Sequence, residues 1–223
     1  MEIYKKLIHM KKQKEIFEYK ASSKDYLLAL TSFPSFTKKI NIQGHSCQKM
    51  LEYFVNNERH FLNEDSQIPT MKELSSILNI NVNRLSAQLK LIYDEILELN
   101  FNKPQIFTKD DEIPCLLSFK YFDSYQTFNL GLKVVPRKSE SFNFYFIKPR
   151  LGAASFHVER VYHDYENDGH SILLTLSPRY PNQYMELLKE KAYLRRDISF
   201  SELIMVDWDS SFEDKILKWN PNL

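Results

Sequence analysis

Three polar side chains near the middle of the chain have the types and the spacing needed to read a nucleic-acid groove. Asn83, Arg84 and Gln88 fall within six residues, in a segment whose apolar residues recur at helical intervals. Asparagine and glutamine amides can pair bidentately with adenine, and an arginine guanidinium can pair with guanine. Because Ala87 between them is small, a helix carrying these residues could approach the bases closely. These three side chains are therefore candidates for reading base edges.

A second set of residues nearby could hold the nucleic-acid backbone. Lys72, Ser86 and Lys90 supply two cations and a hydroxyl, which are the groups that bind phosphate oxygens. The backbone N–H groups at the start of a helix also favour phosphate. We expect these three residues to contact phosphates on either side of the base-reading residues.

The segment that must position them, Ile68–Leu99, begins with the signals of a short helix. Thr70 and Glu73 have the spacing of a capping box, in which each side chain accepts a hydrogen bond from the other's backbone N–H. Pro69 immediately precedes this pair. One apolar face follows, formed by Met71, Leu74, Ile77 and Leu78.

A sharp turn and a second helix are predicted next. Asn79 can accept the left-handed backbone conformation that such a turn requires, Ile80 would fill the angle between the helices, and Asn81 is a good helix cap. The second helix carries an apolar stripe in steps of four and three residues. The stripe consists of Leu85, Leu89, Ile92, Ile96 and Leu99.

With these residues, the stretch resembles the helix-turn-helix family of DNA-binding domains, in the three-helix form of bacterial regulators, over residues 46–100. The resemblance implies a first helix at Ser46–Leu62, capped by Ser46, a second at Thr70–Leu78 and a recognition helix at Asn81–Leu99. Asn79 stands where the family usually has glycine. The resemblance further implies a transcriptional regulator that binds duplex DNA sequence-specifically, as a homodimer on spaced half-sites.

Residues 1–45 form a basic amino-terminal segment, with nine lysines and four acidic residues. We expect an amphipathic helix within residues 2–20 and a short strand at Lys39–Gln43. The lysines could contact DNA phosphates, or they could belong to a solvated helix face. The overall net charge of +1 does not by itself indicate nucleic acid.

Residues 105–223 have the pattern of a β-rich, mainly antiparallel domain with carboxy-terminal helices, so the predicted fold class is α+β. Strands are expected at 115–122, 126–135, 141–148, 155–163 and 171–177, with a hairpin turn at Glu166–Gly169. Helices are expected at 181–194 and 210–219, and a strand or short helix at 200–207. A wing on the helix-turn-helix unit is conceivable if Gln105–Phe107 pairs with Leu116–Phe119, although its tip at Lys109–Glu112 is acidic.

Catalytic and metal-binding motifs are not expected. His157 and His163 would share a face of one strand about 20 Å apart, so one ion could not bridge them, and with His170 they fit solvent-facing hairpin histidines. Cys47 and Cys115 lack metal-ligand spacing and are expected to be buried free thiols. The chain has no glycine-rich phosphate loop and no run approaching the roughly 18 apolar residues that span a bilayer. We expect no enzyme activity, no cofactor and a cytoplasmic location.

A different class of function remains open. The helical unit and the aromatic-rich strands could serve as a protein-interaction or scaffold surface without binding DNA. Under either interpretation the β-rich domain could mediate dimerisation or receive a small-molecule effector or a protein partner.

Overall fold

The computed structural model describes residues 19–63, 65–122, 124–166, 169–178 and 183–199. The chain divides into two compact units, Met1–Arg179 and Tyr180–Leu223. The helix predicted within residues 2–20 falls almost wholly outside the described residues. The elements predicted at 200–207 and 210–219 lie outside them as well.

The first unit combines helices with one β-sheet, as the α+β prediction requires. Its described α-helices are α1 (Ser23–Ser32), α2 (Pro34–Thr37), α3 (Gln48–Asn56), α4 (Glu58–Phe61), α5 (Met71–Leu78), α6 (Val82–Asn102) and α7 (Lys148–Leu151). Two 3-10 helices lie at Pro104–Phe107 and Tyr145–Ile147. The strands are β1 (Ile113–Tyr121), β2 (Ser124–Leu132), β3 (Ser141–Asn143), β4 (Ser155–Glu166) and β5 (Gly169–Ser177).

The five strands form a mixed sheet in the order β2-β1-β5-β4-β3. All neighbouring pairs are antiparallel except β1 and β5, which are parallel. The hairpin predicted around Glu166–Gly169 is confirmed, because β4 and β5 pair with these two residues opposite each other. Alternate residues of each strand point into the core, among them Leu117, Phe128 and Leu174.

The aromatic residues of the predicted β-rich half are largely core residues. Phe119 and Phe144 stack with ring centroids 5.5 Å apart, and Phe128 contacts both Phe144 and Phe146. All four of these rings are fully or almost fully buried. They therefore stabilise the fold, and they leave no continuous aromatic surface at this position on which nucleic-acid bases could stack.

Helix α1 was not predicted, and it is central to the unit. It packs against α6 and against the 3-10 helix Tyr145–Ile147, with Leu27 and Leu30 buried. Ser22 caps it in a capping box with Asp25. The sequence signal was present, since Ser22 and Asp25 have capping-box spacing, but Pro34, Ser35 and Thr37 suggested irregular structure in this region.

One buried cluster contains residues from both sides of the expected seam between the helical and β-rich parts. Leu85 and Ile96 of α6 belong to it together with Leu117 and Phe156 of the sheet. The helices and strands of this unit therefore share one hydrophobic core. Domain boundaries at residues 45 and 104 remain a prediction from the sequence.

Several local predictions were wrong. Lys39–Gln43 forms turns and irregular backbone, because the chain has just left α2 and has no neighbouring strand with which to pair. The predicted wing is contradicted: Gln105–Phe107 lies in a 3-10 helix, and Leu116–Phe119 pairs with β2 and β5. The strand expected at 141–148 ends at Asn143, where the buried Phe144 leads into helical turns.

The first helix of the resemblance is also shorter than predicted. Ser46–Leu62 divides into α3 and α4, with a break at Asn57, and the residue at the cap position is Cys47, whose side chain makes no capping hydrogen bond. Both cysteines are buried free thiols, as expected. Burial raises the pKa of the Cys115 thiol to about 11, so this group stays protonated at neutral pH.

The second unit is described from its helix α8 (Gln183–Leu194) to Ser199. Leu188, Ala192 and Ile198 are buried. The helix predicted at 181–194 is thus confirmed over most of its length. Among the described residues, no helix is both long enough and apolar enough to cross a bilayer.

Candidate nucleic-acid interface

Helix α5 begins with the predicted capping box. The backbone N–H of Glu73 donates to Thr70 Oγ1 at 3.3 Å, and the N–H of Thr70 donates to Glu73 Oε2 at 2.8 Å. The Thr70 hydroxyl also donates to Glu73 Oε2 at 3.0 Å, and the two hydrogen bonds that this carboxylate accepts from Thr70 lower its pKa. Only Leu74 of the predicted apolar face is fully buried, while Ile77 is exposed. Met71 and Leu78 are partly buried against the core on either side of Leu74, so the helix rests on the core through these three residues.

The turn between α5 and α6 depends on Asn79. This residue has φ 51° and ψ 49°, the left-handed conformation predicted for it. The turn is closed by the backbone N–H of Ile80, which donates to the carbonyl of Ser75 at 3.1 Å, and by Ser75 Oγ, which donates back to the Ile80 carbonyl at 2.6 Å. Asn81 Oδ1 then accepts from the N–H of Asn83 at 2.8 Å and caps α6.

Helix α6 has two distinct faces. The predicted stripe is buried over most of its length, with Leu85, Leu89, Ile92 and Ile96 fully inaccessible to solvent and Leu99 partly buried. On the opposite side, Asn83, Arg84, Ala87 and Lys90 are exposed. We call these four residues the exposed α6 face. They span about 10 Å along the axis at 1.5 Å per residue.

The structure separates the six predicted contact residues into two groups. Asn83, Arg84 and Lys90 lie together on the exposed α6 face, and Lys72 is exposed on α5. Ser86 and Gln88 are half-buried and already engaged. Ser86 Oγ donates to the carbonyl of Val82 at 2.9 Å.

Gln88 holds the chain that precedes α3. Its Nε2 donates to the carbonyl of Ser46 at 3.1 Å, and its Oε1 is buried with no hydrogen-bond partner among the described residues. The amide therefore lies against this loop instead of extending into solvent. Sequence periodicity placed Gln88 on the exposed side of the helix, but the residue is half-buried because a loop 42 residues earlier covers it.

A second contact ties the same loop to α6 two turns further on. His45 Nε2 lies 2.8 Å from Glu95 Oε2, and the N–H of Cys47 donates to His45 Nδ1 at 3.0 Å. Because Nδ1 accepts this hydrogen bond, the ring proton resides on Nε2 and is donated to Glu95. The loop before α3 is thus fixed to α6 at both Gln88 and Glu95.

The charges along α6 are distributed unevenly. Of the acidic residues in its second half, Asp94 accepts from Arg150 Nη2 at 2.9 Å and Glu95 is bound by His45. By contrast, Arg84 and Lys90 form no ion pair within the described ranges. The first half of α6 therefore presents uncompensated positive charge next to the positive end of the helix dipole.

Two histidines are closer together than the sequence suggested. His163 on β4 and His170 on β5 have ring nitrogens 3.0 Å apart, whereas His157 lies on the other side of a β-bulge between Val158 and Arg160. The hairpin register could have revealed this pair, since Glu166 opposite Gly169 places His170 diagonally across from His163. No group of three or more His, Cys, Asp or Glu side chains in the described parts of the chain is arranged to hold a metal ion.

Comparison with known proteins adds no relative. No protein-family model, no curated protein and no solved structure matches this chain.

Proposed function

We propose that this protein binds duplex DNA sequence-specifically, as a transcriptional regulator, by inserting the first turns of α6 into the major groove. The observation that carries the proposal is the division of α6 into two faces. Leu85 and Leu89 fix the helix to the core, while Asn83, Arg84 and Lys90 stand in solvent on the opposite side.

The dimensions of the exposed α6 face support this function. Its length of about 10 Å matches a major groove about 12 Å wide. In the proposed complex, Asn83 pairs with adenine and Arg84 with guanine, and Ala87 allows close approach. Lys90 and Lys72 bind phosphates on the two sides of the groove. Gln88 holds the loop before α3 against the helix, and Ser86 remains a candidate for a phosphate contact beside Lys90.

The electrostatics of α6 point in the same direction. Phosphate repulsion from Asp94 is reduced by its ion pair with Arg150, and Glu95 is held by a hydrogen bond from His45. The amino end of α6 adds a partial positive charge that favours a phosphate group. A neutral chain overall can therefore present a locally positive helix.

A two-fold homodimer is the expected binding form, with one α6 in each half-site. The amino-terminal lysines are additional candidates for phosphate contacts, and the β-rich part is the candidate site for dimerisation, a small-molecule effector or a protein partner. We further expect the protein to act in the cytoplasm.

A duplex selection experiment tests the proposal. The full-length protein is equilibrated with a randomised duplex library at low salt, and bound sequences are enriched and then measured by fluorescence anisotropy over a salt series. We expect a defined motif and an affinity that falls steeply with salt. Absence of binding at 50 mM salt, or binding with no preferred sequence after enrichment, contradicts the proposal.

A protein-interaction role is the second candidate, and one observation favours it. Phe101 on α6 is 81% exposed and Leu91 is 49% exposed, so two large apolar side chains of this helix are available for contact with another protein. Substituting Phe101→Ser separates the two functions. DNA binding through the exposed α6 face should survive this change, whereas a protein interface centred on Phe101 should not.

A further inference from the structure

The β4–β5 hairpin brings two imidazole rings together on one face. His163 and His170 are diagonal neighbours across the strand pair, since His163 lies opposite Ile172 and His170 opposite Tyr165. Their facing atoms, His163 Nδ1 and His170 Nε2, are 3.0 Å apart. Two potential metal ligands therefore converge although they are seven residues apart in the chain.

The orientation of the rings directs these nitrogens at each other. The ring planes differ by 10° and the centroids are 5.3 Å apart. With a nitrogen separation of only 3.0 Å, the rings must lie edge to edge in nearly one plane, so one nitrogen donates and the other accepts. Tyr165 stacks on His170 with centroids 4.4 Å apart and planes 3° apart, which restrains the orientation of that ring.

We infer that His163 and His170 form a two-histidine chelating site for a late first-row divalent cation such as Ni²⁺, Cu²⁺ or Zn²⁺. Two imidazole nitrogens bound to one ion at about 2.0–2.1 Å, at roughly a right angle, are about 3 Å apart. The observed separation already satisfies this spacing, and a turn of each ring by about 45° would direct both lone pairs at the ion.

Ion binding requires no change in the net charge of the two rings. The ring that donates the hydrogen bond shifts its proton to its far nitrogen, so both near nitrogens become lone-pair donors and each imidazole stays neutral. Because His163 is exposed, water can fill the remaining coordination positions. The ion would then join β4 to β5 at the end of the hairpin.

Titration of the full-length protein with NiCl₂, CuCl₂ or ZnCl₂ at pH 7.5, followed by calorimetry, tests this site. We expect one ion per chain with a dissociation constant in the micromolar range for at least one of the three. His163→Ala and His170→Ala should each weaken binding tenfold or more. His60→Ala, which removes an exposed histidine on α4, serves as the matched control and should bind as the unaltered protein does.

Two outcomes would overturn the inference. One is no saturable binding of any of the three ions at 100-fold excess over a micromolar protein concentration. The other is equal binding by the unaltered protein and both hairpin variants, which would assign the ion to another part of the chain. Circular dichroism of each variant confirms that the fold is retained, so loss of binding reports on the ligands themselves.

Discussion

Asn100, a buried side chain near the end of α6, forms two hydrogen bonds with the backbone of Asn129 in β2. Its Oδ1 accepts from the Asn129 N–H at 2.8 Å, and its Nδ2 donates to the Asn129 carbonyl at 2.7 Å. The amide thereby occupies the place of a neighbouring strand at the outer edge of the sheet, since β2 is an edge strand. Edge strands with unpaired backbone groups are prone to associate with other chains.

Asn100→Ala should destabilise the protein by about 2–3 kcal/mol, because it leaves both polar backbone groups of Asn129 without these partners near the core. Urea denaturation followed by circular dichroism measures the loss. Asn102→Ala, at an exposed position of the same helix end, is the matched control and should change the free energy of unfolding by less than about 0.5 kcal/mol. Equal effects of the two substitutions would show that the Asn100 hydrogen bonds add nothing to stability.

Asn79 provides a test of the turn. Replacing it with alanine should cost about 1 kcal/mol, because alanine is disfavoured at φ 51°. Asn79→Gly should retain the stability of the unaltered protein or exceed it, since glycine adopts this conformation freely. Thermal and urea unfolding of the pair give the comparison. If the alanine variant is as stable as the glycine variant, the left-handed turn is not present in solution.

The lowered pKa of Asp25 leads to a prediction of how the free energy of unfolding depends on pH. Burial alone would raise the pKa of this carboxyl, but hydrogen bonds from Ser22, Tyr19 and Lys148 outweigh burial and hold the pKa at about 2, below its usual 3.8. Because the folded-state pKa is the lower one, the stabilisation is present above the unfolded-state pKa and is lost as the pH falls toward 2. The shift corresponds to about 2 kcal/mol.

Urea denaturation of the unaltered protein and of Asp25→Asn at several pH values between 6 and 2 isolates this contribution. We expect the difference in unfolding free energy between the two proteins to be largest at pH 6 and to shrink as the pH falls from about 5 to 2. Asp65→Asn, which alters an exposed carboxylate, should show no such convergence. A constant difference across the range would mean that Asp25 acts through packing and not through its charge.

Two lysines, one on α6 and one directly after it, distinguish specific docking from general attraction to DNA. Lys90 lies on the exposed α6 face and Lys103 follows the other end of the same helix, and both are exposed. Lys90→Ala should weaken binding at every sequence and reduce the slope of log affinity against log salt by about 1. Lys103→Ala removes the same charge about 20 Å away along the helix and should leave the slope unchanged. Equal effects would indicate diffuse electrostatic binding.

Substitutions at Gln88 and Arg84 test which of these two α6 residues stabilises the fold and which contacts a base. Because its amide is hydrogen-bonded to Ser46, Gln88→Ala should lower the free energy of unfolding by about 1 kcal/mol and leave the preferred DNA motif unchanged. Arg84→Ala should do the opposite, relaxing the preference at one base position with little effect on stability. Duplex selection with each variant gives its preferred DNA motif and shows which side chain contacts a base. A changed motif with unchanged stability for Gln88→Ala would place its amide on a base.

The helical part of the fold was predictable because its signals are local. The capping box at Thr70, the left-handed Asn79 and the apolar stripe from Leu85 to Ile96 each depend on residues within a turn or two of one another. The hairpin at Glu166–Gly169 was predictable for the same reason. In such segments, residue propensity, capping residues and hydrophobic periodicity all indicate the same secondary structure.

The features that failed depend on contacts distant in the sequence. Gln105–Phe107 could not be distinguished from a strand without knowing that β1 lies between β2 and β5. The hydrogen bond from Gln88 to the Ser46 carbonyl joins residues 42 positions apart, so no local pattern predicts it. The His163–His170 pair required the register of two strands to be carried through to individual side chains, and the bulge at Glu159 affects the spacing that was assumed for His157.

The length of α6 gives the molecule a mechanical property. The helix is hydrogen-bonded to the sheet at Asn100 and carries Asn83 about 25 Å away, at 1.5 Å per residue. Between these two points Leu85, Leu89 and Ile96 are fully buried, so the helix cannot pivot about Asn100 alone. α6 is thus a rigid rod, and any displacement of Asn83 requires the buried side of the helix to move with it.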